Sequence, residues 1–305
     1  FGRNSALSFS HRVFDAWIED ALLEGVPFGT TDQYAALSSV INRGVAGPLL
    51  ERFPIGLLLG CWASRKSNPQ GTTRIARAIT SEIIAVDAVP GVRSSSKIDR
   101  HHVSAGVKLA KGSDGERFRV LTDGGPVPKG VELVGDKAGK KGDGRPSTLG
   151  YGNVTPSVNK EHGGVTMSHA QQHTVISLAA LRATRAQRVG EARSPSRDLA
   201  GRLALASLAL LMLEAQVEQG WELRSGCHLV PTAEPTVEMV GRLGKTVASW
   251  PLLGLNAGGM LGQSVAAASA QGLDWMVPPL GLTASDAQLE LLRLSLNRSD
   301  PDEGT

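Results

Sequence analysis

Aromatic side chains are scarce in this sequence: six Phe, five Trp and two Tyr make up 4% of 305 residues. So few rings count against a standard RNA recognition motif that stacks bases on paired sheet aromatics. For a nucleic-acid partner they favour a grip on the backbone instead. Cysteine is almost absent as well. Cys61 and Cys227 lie far apart among apolar or small neighbours, which argues against a disulfide framework and fits reduced thiols in a cytosolic protein; neither belongs to a metal-ligand spacing. The longest apolar run, Leu203 to Leu213, is too short to span a bilayer. No signal peptide is visible, and the start at Phe1 in place of methionine is compatible with a missing N-terminal piece.

What is present suits a globular chain. Hydrophobic residues at 41% and charged residues at 20% allow one large or two ordinary domains with an ample core. The net charge of +3 hides a skew. The stretch Arg65 to Arg145 holds 16 Lys and Arg against 9 Asp and Glu, leaving 16 basic and 20 acidic residues for the rest. Such a field raises the local concentration of a polyanion and predicts salt-sensitive binding. The competing reading is a solubilising, disordered insertion.

The most telling segment runs from Phe53 to Pro90. An apolar piece, Ile55 to Trp62, gives way to Ser64-Arg65-Lys66-Ser67-Asn68-Pro69-Gln70-Gly71, and Arg74 and Arg77 follow. Cations with small hydroxyls, amides and a glycine, set between buried elements, match what a phosphate backbone needs: charge, hydrogen bonds and close main-chain approach.

Periodicity predicts helices over 5–24, 32–42, 236–248, 259–271 and 284–296. It also predicts a long helix from Asp198, as N-cap, to a stop at Gly220. Ser177 is a candidate cap for a helix running through Leu181 to Arg188, which would put Arg182, Arg185 and Arg188 on one element; a solvated face is the plain reading of those arginines. Residues 49–62 form an apolar element of open type. Residues 74–89 read as a bent strand, 165–176 as a strand with His169 and His173 on one face, and 221–230 as another strand. Residues 91–148 lack sustained periodicity apart from strand-like pieces at 117–121 and 131–134. They read as a mobile excursion or projecting hairpin. The sum is an α+β protein, a sheet backed by helices.

The stretches GLLLGCWASRK…NPQGTTRIARAITSEIIAVDA, PSTLGYGNVTPS, HGGVTMSHAQQHTVISLAALR and LRSGCHLVP occur in order. Together they resemble the CRISPR-associated RAMP protein that forms the backbone of the type I-G (formerly I-U) Cascade complex, over about residues 50 to 295. The resemblance implies a modified RNA recognition motif, ferredoxin-like, with thumb and finger insertions. The palm would be 1–90 with 149–297, the basic insertion 91–148, and the acidic tail 298–305. It implies a non-catalytic, cytoplasmic subunit without cofactor or metal. Such a subunit stacks in several copies along a CRISPR RNA and presents it to target DNA, with other Cascade subunits and a recruited helicase-nuclease as partners.

On this reading Ser64, Arg65, Lys66, Asn68, Gln70, Thr72, Arg74 and Arg77 contact phosphates and 2′-hydroxyls; an ordinary solvated loop is the alternative. Lys137, Lys140, Lys141 and Arg145, with Lys108, Lys111 and Lys129, make the excursion basic as a group. Asn153, His169 and His173 complete the candidate RNA-binding set. The HAQQH spacing lacks the glutamate of a metalloprotease helix, and on a strand its histidines are too far apart for one ion. The Gly254–Gly262 stretch lacks a phosphate-loop pattern and reads as a turn and helix cap. His101 and His102, after Asp99 and Arg100, support an alternative function, a metal-independent endoribonuclease that matures CRISPR RNA using the 2′-hydroxyl as nucleophile. The mobility expected there is a poor setting for positioned catalysts.

Overall fold

The computed structural model describes residues 12–63, 73–104, 106–113, 115–123, 126–135, 142–159, 163–224, 226–275 and 277–298. Helix accounts for 35% and strand for 27%, so both carry the fold and its class is α+β. The described residues fall into two compact units, one drawn from 1–83 and 172–305, the other from 84–171.

The first unit is built on helices whose ends follow from local chemistry. Asp15 caps a single turn, α1 (Ala16–Glu19). The chain then reverses: Leu22–Leu23 pairs antiparallel with both Val26–Pro27 and Leu282–Thr283. The reversal uses positive φ at Glu24 and Gly25, as a tight hairpin requires. The helix expected over 5–24 is therefore one turn and a hairpin across its described part. Val13, Phe14 and Ile18 of the periodic pattern still face the core, so the pattern marked burial and not helix. Thr31 caps α2 (Asp32–Arg43), and Gly44 ends it in the left-handed region. The apolar element of open type resolves into α3 (Gly47–Arg52) and α4 (Pro54–Leu58), which bury Leu49, Leu50, Leu57 and Leu58.

Ser177 caps α5 (Leu178–Ala183), which stops well short of Arg188. Arg202 donates twice to the Thr184 carbonyl, at 3.1 and 2.9 Å, holding it outside any helical ladder. The three arginines thus do not share a helix. The Arg185 carbonyl accepts from Ala46 N–H, and the Arg188 guanidinium binds Glu51 and Glu191. Burial opposes the charge on Arg188, but those two carboxylates outweigh it and raise the pKa.

The long helix is α6 (Pro195–Gln219), capped by Ser194 and stopped at Gly220. Asp198, expected as its cap, sits inside the first turn at 1% exposure. There it accepts from Ala186 N–H at 2.8 Å and from Arg193 Nε at 2.8 Å, with Arg202 at 3.5 Å. By length and composition α6 could cross a membrane. Here it packs against α4, α5 and α7 (Ala257–Ala270) and places Ala200, Leu205 and Ala209 in the core, as a core helix does. Gly201 of α6 lies against Leu50 of α3: a Cβ there would lie 2.8 Å from Leu50 Cδ1. Asn256 caps α7 through Gly259 N–H, as the turn-and-cap reading of this glycine-rich stretch expected. The last helix, α8 (Asp286–Arg298), is tied to the N-terminal region by Gln288 Nε2 donating to the Trp17 carbonyl.

Two expected elements change type. Residues 236–248 form a hairpin, Thr236–Val240 with Thr246–Pro251. Its valines and threonines favour extended backbone, and Gly241 and Gly244 interrupt helix. The strand over 221–230 is a hairpin too, Trp221–Arg224 with Cys227–Leu229.

In the second unit Val107–Lys111 pairs with Phe118–Asp123, Arg93–Lys97 with Val154–Asn159, and Val89–Pro90 with Val165–Thr166. Leu109, Ala110 and Val134 form its small core, where Val134 N–H donates to the Leu109 carbonyl. Among the described residues the pairings give one three-stranded and seven two-stranded sheets, and they do not draw the four-stranded sheet of an RNA recognition motif.

Candidate nucleic-acid interface

The basic stretch is flanked in sequence by the two strands of a short antiparallel ribbon, Cys61–Ala63 with Thr73–Ile75. Side chains alternate across such a ribbon. Cys61, paired with Ile75, turns inward and is buried; burial pushes its thiol up to about 12. Trp62, paired with Arg74, turns outward. Its ring is 47% exposed, and the Arg74 guanidinium carbon lies over it at 5.7 Å from the centroid, within cation–π range.

Arg77 follows at the break between this ribbon and the next strand. Its stem lies against Gly60: a Cβ on Gly60 would meet Arg77 Cγ at 3.0 Å and the Ile75 carbonyl at 2.8 Å. Glycine at a φ of +78° leaves that space open. Neither Arg74 nor Arg77 pairs with a carboxylate among the described residues. The bend expected in 74–89 lies at Ala76–Ala78, and Arg77 sits in it, off the strand face where the sequence placed it. Ser64, Arg65, Lys66, Asn68, Gln70 and Thr72 lie outside the described residues.

The strand Ile79–Val86 then pairs with His169–Ile176. The strand expected over 165–176 is broken at Met167–Ser168, where Ser168 N–H donates to the Val86 carbonyl. Beyond the break the alternation is as expected. His169, Gln171, His173 and Val175 are exposed, while Ala170, Gln172, Thr174 and Ile176 are half-buried. The half-buried face carries a polar cluster: Gln172 Nε2 donates to Ser81 and Gln216, and Trp221 Nε1 donates to Gln172 Oε1 at 2.6 Å. His173 belongs to the first unit with Arg74 and Arg77; His169, Arg145 and Asn153 belong to the second. The His169 ring meets the Ser168 hydroxyl at Nδ1 and Gln171 at Nε2. Four residues apart along a strand, the two histidines are about 13 Å apart. Among the described residues no group of three or more His, Cys, Asp or Glu is placed to hold a metal ion.

In the second unit Arg145, Lys108 and Lys111 of the basic set are engaged internally. Arg145 Nε lies 3.2 Å from Asp143 Oδ2, Lys108 Nζ donates to the Asp143 carbonyl, and Lys111 pairs with Glu132 at 2.8 Å. The Asp143 carboxyl is held below its ordinary range, first by Arg145 N–H, then by the charges of Arg145 and Lys108 and the Thr148 hydroxyl, against a smaller opposing effect of burial. Asn153 Oδ1 accepts from Asp99 N–H at 2.7 Å, so it ties two loops together. Asp99 in turn accepts from His101 and Val103 N–H. The Val103 bond comes first among the causes that lower its pKa. That carboxylate accepts main-chain N–H groups, with the charge of His101 a lesser influence. Lys137, Lys140 and Lys141 lie outside the described residues.

The feature the sequence concealed is Trp62. It closes an apolar run and reads as core. The alternating burial of Cys61 and Ala63 around it, opposite Thr73-Arg74-Ile75, is the local signal that places it outside.

Residues 2–90 match the family model described as CRISPR-associated protein GSU0053. The match contains the whole Trp62–Arg74 ribbon and both arginines. No curated protein matches the chain. The match covers less than a third of the chain, and over that segment the chain is similar to a CRISPR-associated protein.

Proposed function

We propose that this protein is a non-catalytic, guide-RNA-binding backbone subunit of a type I-G CRISPR interference complex, several copies of which stack along one CRISPR RNA in the cytoplasm. The RNA-recognition-motif-like palm, pairing of the guide with target DNA, and partnership with further Cascade subunits and a helicase-nuclease belong to the same proposal. One observation carries it. The ribbon that brackets the basic Ser64–Thr72 stretch in sequence turns to solvent Trp62 and an Arg74 that has no carboxylate partner among the described residues, inside the segment that matches a CRISPR-associated family. Charge without carboxylate partners is what sequence-independent contact to phosphates needs. In such a division of labour guide pairing reads sequence and protein reads backbone shape.

The test is guide-RNA affinity across a salt series for the wild type and for a double variant, Arg65→Ala with Lys66→Ala. The expected result is weaker binding and a salt slope smaller by roughly two, since each phosphate contact adds about one. Equal affinity and equal slope remove this loop from the interface. Incubation with labelled precursor RNA in EDTA separates the endoribonuclease alternative: a binder shifts the RNA intact, and a nuclease shortens it.

A further inference from the structure

We propose that Trp62 and Arg74 form a stacking platform for one unpaired nucleobase of a single-stranded RNA; this rests on the RNA-binding reading above and adds a base contact to a site otherwise read as gripping phosphates. The ribbon register fixes the pair on its outer face, opposite buried Cys61 and half-buried Ile75. Arg74 covers one face of the indole, and the side chain is still 47% exposed. A ring prepared in this way suits a flat, electron-rich partner. Stacking on an aromatic face is sequence-tolerant, because every base has a π-face, and an adjacent guanidinium strengthens it. The neighbouring charge selects the occupant. Arg74 and Arg77 lie within three residues of each other and neither pairs with a carboxylate among the described residues. Arg77 is held beside the ribbon by its stem packing on Gly60. One cation over an exposed indole, with a second three residues further along the chain, complements a base with its own phosphates better than an apolar protein surface does. In a chain with so few rings, this one is spent on solvent.

The experiment uses the full chain with two probes, a short oligoadenylate and an abasic ribose-phosphate oligomer of equal length. Trp62→Ala is expected to weaken oligoadenylate binding about tenfold to a hundredfold and to leave the abasic probe unaffected. Trp62→Phe keeps a ring and is expected to recover most of the affinity. Oligoadenylate is expected to quench wild-type tryptophan fluorescence more than that of Trp62→Phe; this difference does not require the alanine variant to fold. Equal oligoadenylate affinity of Trp62→Ala and wild type, or equal losses for both probes, or equal quenching of wild type and Trp62→Phe, overturns the platform. If Trp62→Ala binds normally while the Arg65, Lys66 double variant does not, the platform fails and the RNA-binding reading stands. If the wild type binds neither probe, both fail.

Discussion

Replacing Asp198 by alanine is expected to destabilise the first unit by about 2–4 kcal/mol. The carboxylate is buried at 1% exposure and holds three groups from three places in the sequence. Without it the Ala186 N–H, on a fully buried residue, loses its acceptor at a cost of about 1–3 kcal/mol. Breaking a wholly buried ion pair would add about 3–5 kcal/mol. The Arg193 side chain, however, is 54% exposed and that of Arg202 20%, so water takes over much of their solvation and this share shrinks to about 1 kcal/mol. Loss of an anion from the first turn of α6 contributes a further ~0.3–1 kcal/mol. Asp198→Asn keeps an acceptor for Ala186 and loses only the charge, for about 1 kcal/mol. Thermal unfolding followed by far-ultraviolet circular dichroism reads the difference. At about 2–4 °C per kcal/mol for a unit of roughly 200 residues, the alanine variant melts about 5–15 °C lower and the asparagine variant less than about 5 °C lower. An alanine variant within about 2 °C of wild type refutes the reasoning, as does an asparagine variant that is equally damaged.

Gly47→Ala would place its Cβ 2.6 Å from the Gln187 carbonyl oxygen and 2.9 Å from that of Ala186. Both are main chain that cannot swing aside, so a loss of about 2–3 kcal/mol is expected, visible as a melting shift of about 5 °C or more. Cys61, with its thiol pushed to about 12 by burial, is expected to resist maleimide at neutral pH while half-buried Cys227 reacts, as peptide mass spectrometry would show; early labelling of Cys61 contradicts its placement. Because the folded thiol is the weaker acid, its contribution to stability is complete below the unfolded thiol's pKa and declines as pH rises towards about 12.

Elements were legible where local chemistry decides them. Ser177 and Gly220 marked helix ends correctly because capping needs only neighbours. The alternation at His169–Ile176 was visible because one face of that strand is half-buried. Asp198 was misread because an acidic residue before an Ala and Leu run looks like a cap, whereas its partners Ala186 and Arg193 come from the preceding loop. The 236–248 hairpin was read as helix because its apolar residues fit either period, and only pairing with a partner strand settles the matter. At the candidate interface, composition picked out Arg74 and Arg77. It hid Trp62, because exposure of a ring is a property of register and tertiary packing. Arg145 and Asn153 also looked available in sequence. Their partners, Asp143 and the Asp99 main chain, are close only in the fold.

The strands leading into the 84–171 unit run side by side, Ile79–Val86 against His169–Ile176, with Ser168 N–H on the Val86 carbonyl where they part. For the helical unit, everything between them amounts to a single loop already pinned at its neck. The entropy of closing such a loop grows only logarithmically, by about 0.6 kcal/mol per doubling of length. Insertions and deletions beyond the neck therefore leave the register of the helical unit almost untouched. This gives the gene freedom to reshape one unit while the other stays fixed.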